Sequence, residues 1–148
     1  MTSLTTPALE HCYEVRLGTP GILLGNFLEV SGLGLQHELH PYPEGGRNDF
    51  VHQHLGRVTH SNLTLKSGVT RVPVLLDWVL RKPPFNSPQD LTLIFKTADN
   101  KVLRTFGFAH AVPVSWTGPN ARVAANAVAT ESIVVAHRGF TSGMGSRR

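Results

Sequence analysis

Along most of the chain, apolar and polar residues alternate with a period of two, the mark of strands whose successive side chains face opposite ways. In "CYEVRL", Tyr13, Val15 and Leu17 fall on one side, and Glu14 and Arg16 on the other. "TPG" at residues 19–21 predicts a turn, with proline presetting φ and glycine supplying positive φ. "ILLGNFLEVSG" resumes as a strand, and "GLG" at residues 32–34 predicts a bulge or sharp bend before the strand "LQHEL". In "VTHSNLTLK", Leu63 and Leu65 share one face, opposite His60, Asn62, Thr64 and Lys66. "DLTLIFK" and "VLRTFGFA" flank "TADNK", which predicts a hairpin turn. Separate strands are predicted at "PVSWTG" and "ESIVVAHRG".

One segment breaks this period. In "RVPVLLDWVLRKPP", Val72, Leu75, Leu76, Val79 and Leu80 recur at the spacing of one helix face. Thr70 is positioned to cap it, Pro73 is tolerated in the first turn, and Pro83 with Pro84 stops it. The expectation is a helix over about residues 72–82, with Trp78 at the edge of its buried stripe and Asp77 off it. The fold class is therefore mainly β, with one docked helix. "NARVAANAVA" reads as either a short helical turn or a loop of small residues, and no internal repeat is visible.

The chain is 148 residues long, the size of one domain, and residues 1–148 are expected to form it. The ends, 1–9 and 141–148, are expected to be flexible. With 41% hydrophobic and 16% charged residues, composition excludes wholesale disorder. The net charge of +4 is compatible with an anionic partner without implying one. Cys12 is alone, which excludes an internal disulfide and a cysteine-rich zinc site, and it is expected to be a buried thiol. The start "MTSLTTPALEH" lacks the features of a secretory signal, and no apolar run has membrane-spanning length, so no membrane anchor is expected. Synthesis in a cytoplasm is the expectation.

Candidate chemistry is sparse. His37 and His40 are three apart, and His52 and His54 in "HQH" would share a strand face and could chelate, yet no zinc ligand set with third and fourth partners is recognisable. They are read as solvated or hydrogen-bonded histidines. Ser31 lacks the G-x-S-x-G frame of a nucleophile elbow, and "GLG" lacks the glycine pattern of a dinucleotide site. "EGGRN" lacks the G-K-[ST] ending of a phosphate loop. Glu44 and Asp49 would need to meet in a pocket to act as acid and base, and solvated loop charges are the simpler account. No enzyme and no cofactor are expected.

The succession "FLEVSGLG", "YPEGGRND", "LTLKSG", "LLDWVL", "FGFAHAVPVSWTGPN" and "VATESIVVAHRG" resembles the tail-tube proteins of contractile phages and phage-tail-like injection particles. The pattern is carried by residues that include Phe27, Gly32, Tyr42, Glu44, Gly45, Gly46, Asn48, Leu65, Trp78, Trp116, Glu131, His137 and Gly139. Arg47 inside the loop and Phe106 in place of a common tryptophan depart from it. The resemblance implies an antiparallel β-barrel or sandwich flanked by a helix. It also implies six-membered rings stacked into a hollow tube inside a contractile sheath. Baseplate or spike and tube-terminator proteins would meet its ends, and the lumen would carry cargo, either DNA or protein such as effectors. The alternatives are an end ring that contacts the baseplate or spike, and a type VI secretion-like ring protein.

Within that reading the loop "HPYPEGGRND" becomes an oligomer interface. Tyr42 would anchor, Gly45 and Gly46 would admit a neighbouring backbone, and Glu44, Arg47 and Asn48 would make polar contacts. The competing account is an ordinary surface turn.

Overall fold

The computed structural model describes residues 12–18, 21–46, 49–68, 74–119 and 130–141. The expectations for Thr70, Val72, Pro73, the segment 120–129 and the ends 1–9 and 142–148 lie outside them, as do Arg47 and Asn48. Two strands, β1 (Cys12–Leu17) and β2 (Ile22–Phe27), form the first antiparallel pair. At Leu28 the chain leaves β2 and continues as β3 (Glu29–Ser31). A hairpin follows, β4 (Leu35–Tyr42) and β5 (His52–His60), and then β6 (Leu63–Gly68). Helix α1 (Val74–Val79) precedes β7 (Gln89–Lys96), the long β8 (Val102–Thr117), β9 (Thr130–Ala136) and the short β10 (Phe140–Thr141).

The strands run in the order β2-β1-β7-β8-β9-β6-β3, with β10 added to β8 and every pair antiparallel. The predicted strands "VLRTFGFA" and "PVSWTG" are one 16-residue strand. Its first part pairs with β7 through Ala111, and its second pairs with β9 from Val112 onward. His110, at φ 50, lies in the bulge just before this switch, and its N–H donates to Asp90 Oδ1 at 3.2 Å. A register shift opposite, between Gln89 and Leu91, bends the strand from one sheet into the other. At the opposite side β2 and β3 do the same, with the Leu28 N–H donating to the Lys66 carbonyl at 2.9 Å. Two strands that cross between sheets thus make a barrel-like sandwich, as expected.

Alternation sends one face of each strand into a shared core. Val15, Leu17, Leu24, Phe27, Leu91, Leu93 and Phe108 meet Leu63, Leu65, Ile133 and Val135, all fully buried. Each such side chain contributes roughly 1.5–3 kcal/mol by leaving water. Two details differ from expectation. Cys12 is half-buried rather than buried. Glu14, on the polar face of β1, is buried, where burial alone would raise its pKa. Hydrogen bonds and charge from Lys96 and Arg16 outweigh that and hold the carboxyl below its usual range.

The helix is shorter and differently rotated than its sequence stripe predicts. Leu75 and Trp78 are buried and Val74 and Val79 half-buried, while Leu76 and Leu80 are exposed. The segment offers two apolar registers one residue apart, 75-76-79-80 and 74-75-78-79. The indole of Trp78 removes far more apolar area from water than a leucine, so the second register wins. Arg81, at φ 54, ends the helix, and the proline-rich linker beyond it is anchored by buried Phe85.

Trp78→Ala is expected to lower the stability of the dissociated subunit by about 3–5 kcal/mol. Leu76→Asp, at an exposed position, should cost less than about 1 kcal/mol. Denaturant unfolding measures both, and equal losses would restore Leu76 to the buried stripe.

Candidate assembly surface

The loop singled out in the sequence is the tip of an arm. Strands β4 and β5 form a separate two-stranded sheet, pairing Tyr42 with His52, His40 with His54, Leu39 with Leu55 and Leu35 with His60. All of β4 is exposed, and in β5 only Gly56 and His60 are partly covered. Eight residues of strand carry the tip roughly 25 Å along the ribbon from its root, at about 3.3 Å per residue.

The root is closely packed. Gly32 has φ +83, and a Cβ there would lie 2.0 Å from the Asn62 carbonyl oxygen, so only glycine lets the chain cross at that point. The Ser61 N–H donates to the Gly34 carbonyl. This is the bend predicted from "GLG".

The ribbon is two-faced, because residues paired across an antiparallel ladder share a face. One face carries Leu35, Leu39, Leu55 and Val58 together with their partners His60 and His37, and of these Leu39 is 54% exposed and Leu55 67% exposed. The other carries Glu38, His40, Tyr42, His52 and His54. On that face the His52 Nε2 lies 3.6 Å from Glu44 Oε2, and the Tyr42 and His54 rings lie 6.0 Å apart. A bulge between His37 and Leu39 twists the ribbon midway.

Of the predicted interface residues, Tyr42 ends β4 and Glu44, Gly45 and Gly46 form the tip. Gly46 has φ +103, which a turn can hold with glycine. A Cβ at either glycine would meet nothing within 4 Å in the subunit. Among the described residues, no three His, Cys, Asp or Glu are grouped to hold a metal ion, and His52 and His54 stand on an open ribbon face. No described helix is long and apolar enough to cross a membrane.

Sequence reasoning missed the apolar arm face. The signal was present, since "LQHELHPY" and "VHQHLGRVT" both alternate around a Gly- and Pro-containing loop, the pattern of a hairpin. Other apolar side chains are also exposed, among them Leu76 and Leu80 on α1, and Val114 and Trp116 on the second half of β8. Trp116 is fixed there by its Nε1–H, which donates to buried Glu131 at 3.3 Å.

A barrel-like sandwich with strand-crossing β8, one helix among the described residues and a projecting ribbon can be compared with known proteins as a whole. The family model described as T4-like virus tail tube protein gp19 matches residues 10–141. The chain belongs to that family. Membership gives it a structural, tube-forming role and no catalytic one. Solved structures share the fold. A chain of an extracellular contractile injection system, the PVC sheath–tube complex in its extended state, is 24% identical over 95% of this chain and 92% of that one, with TM-score 0.69. A chain of the anti-feeding prophage baseplate is 22% identical over 93% and 96%, with TM-score 0.67. Hcp1 from Flavobacterium johnsoniae is 16% identical over 91% and 96%, with TM-score 0.51. The comparison with curated proteins finds no match.

Glu44→Ala removes only an exposed contact to His52, worth at most about 1 kcal/mol. The melting curve of the dissociated variant is expected to overlay that of the parent in calorimetry. Gly56→Val should instead disrupt the ribbon, because a Cβ at Gly56 would lie 2.6 Å from the His40 ring and 3.3 Å from the Glu38 carbonyl.

Proposed function

We propose that six copies of this chain, each a single domain, close into a ring, and that rings stack into the hollow inner tube of a contractile phage tail or phage-tail-like injection particle. The arm is the clasp between rings. Its tip, from Tyr42 through Glu44, Gly45, Gly46, Arg47 and Asn48, reaches the next ring, and its leucine face lies on that ring's surface. A contractile sheath surrounds the tube, baseplate or spike proteins meet one end and a terminator the other, and the lumen carries cargo. Subunits made in the cytoplasm enter the particle there.

The observation that carries this reading is the leucine face of the arm. An isolated two-stranded ribbon is marginal in water, and its exposed leucines gain by covering. Family membership supplies the kind of assembly. Ring stacking is a head-to-tail contact that repeats without closing, and a protruding ribbon suits it because donor and acceptor surfaces differ. The edge of β8 beyond β10, which no described strand covers, suits lateral contact, since strand edges gain from pairing.

A second reading is an end ring in contact with the baseplate or terminator. It is favoured by likeness to a chain in a structure of the PVC sheath/tube terminator, 25% identical over 87% of this chain and 91% of that one, with TM-score 0.69. Capped single rings at particle ends, instead of long tubes, would distinguish it.

Leu39→Asp combined with Leu55→Asp tests the clasp. The subunit is expected to stay within about 0.5 kcal/mol of the parent, as for exposed positions. Stacked tubes should be absent in negative-stain micrographs of the variant. Tubes of ordinary length from this variant would rule out the arm as the clasp.

A further inference from the structure

We propose that His137 and His60 form an acid-released clamp that fastens the root of the β4–β5 arm to the barrel. His137 follows β9, and its ring lies between two backbone groups. Its Nε2 is 3.0 Å from the Ser61 carbonyl oxygen, and its Nδ1 accepts from the Gly139 N–H at 3.1 Å. Because a backbone N–H can only donate, Nδ1 must be bare, so Nε2 carries the proton and donates to Ser61. The neutral ring therefore ties the turn that ends the arm to the turn before β10. A second proton would have to sit on Nδ1, facing the Gly139 N–H, and would break that bond.

His60 makes the arrangement more sensitive. It is the last residue of β5, and its ring centre is 5.6 Å from that of His137 and 6.0 Å from that of Phe140. Its Nδ1 is buried without a hydrogen-bond partner. Gly139 makes room for it, since a Cβ there would stand 2.8 Å from the His60 Nε2. Phe108, with its ring 4.7 Å from that of His137, closes the remaining side. What faces His137 is therefore His60 from β5, Phe108 from β8, Phe140 from β10, and the backbone of Ser61 and Gly139. No carboxylate pairs with either histidine among the described residues. Arg138, next in the chain, is exposed and is itself a cation.

Burial and the nearby His60 lower the His137 pKa from 6.5, against the opposing pull of the Ser61 carbonyl. A ring freed from the clamp takes up its proton at the ordinary value. The clamp therefore holds fully above about pH 6.5 and weakens as the pH falls from there toward the depressed native value. The inference concerns the single subunit, and rests on the tube reading only for what release would do to stacked rings.

Hydrogen exchange of the dissociated subunit tests it. Between pH 7.5 and pH 5.0, after correction for intrinsic rates, amides at the root, Ser61 and Gly139 among them, should exchange faster. Those of Leu91 and Leu93 in the core should not. His137→Gln retains a side-chain donor for Ser61 but has nothing to titrate, so its root should lose the pH response. If that variant folds poorly, nuclear magnetic resonance titration of the parent decides. The His137 ring should titrate below 6.5, and the Gly139 amide shift should follow it. Unchanged root protection in the parent, the same acid loosening in His137→Gln, or an ordinary His137 titration with an unmoved Gly139 amide would each overturn the clamp. Tubes that survive at pH 5.0 with loosened roots would count against the arm as clasp, not against the clamp.

Discussion

The backbone ladder along β8 is the interaction on which the rest of the structure depends. One strand serves two sheets, pairing with β7 through Ala111, past the bulge at His110, and with β9 from Val112 onward. The core exists because this strand, together with the β2–β3 crossing at Leu28, holds the two sheets face to face. Satisfying the backbone this way leaves two things unsatisfied within one subunit. The outer edge of the later β8 has no strand beside it among the described residues, and the β4–β5 ribbon has no sheet behind it. Both are where the proposed assembly would bring neighbours.

The arm is built by alternation and glycine placement. Its alternation places leucines on one face and His40, His52, His54, Glu38 and Tyr42 on the other, and its glycines act at two separate places. At the root, Gly32 permits a backbone crossing that no side chain would tolerate, which fixes where the ribbon leaves the barrel. At the tip, Gly46 takes a left-handed conformation in open space. A ribbon this exposed gains little stability from its own subunit. Its order depends on its root and on whatever covers it.

Much of the barrel was legible in the sequence because period-two alternation reports burial directly. Leu63 with Leu65, and Val15 with Leu17, fall where their alternation puts them. Several residues that carry the family resemblance prove to be fixed in place: Phe27, Leu65 and Trp78 in the core, Trp116 on Glu131, and His137 on Ser61. Rotation of the helix was not legible, since adjacent apolar registers differ only in which large side chain goes inside. The fusion of two strands into β8 was hidden because a bulge at His110 interrupts the alternation while the chain stays extended. Glu14 was assigned to a polar face, correctly, but alternation cannot show that Lys96, distant in sequence, helps to bury it. The arm was half legible: its loop stood out by composition, whereas pairing of its strands required recognition that two polar-looking stretches alternate around that loop.

The central claim is that this chain is built to be covered by copies of itself, with the ribbon as the reaching element. Electron cryomicroscopy of tubes assembled from the purified protein, or of particles that contain it, tests that most directly. The account predicts stacked six-membered rings in which each β4–β5 ribbon lies with Leu39 and Leu55 against the adjacent ring, out of water. Rings whose ribbons fold back on their own barrels, or project into solvent while other surfaces hold the stack, would contradict it.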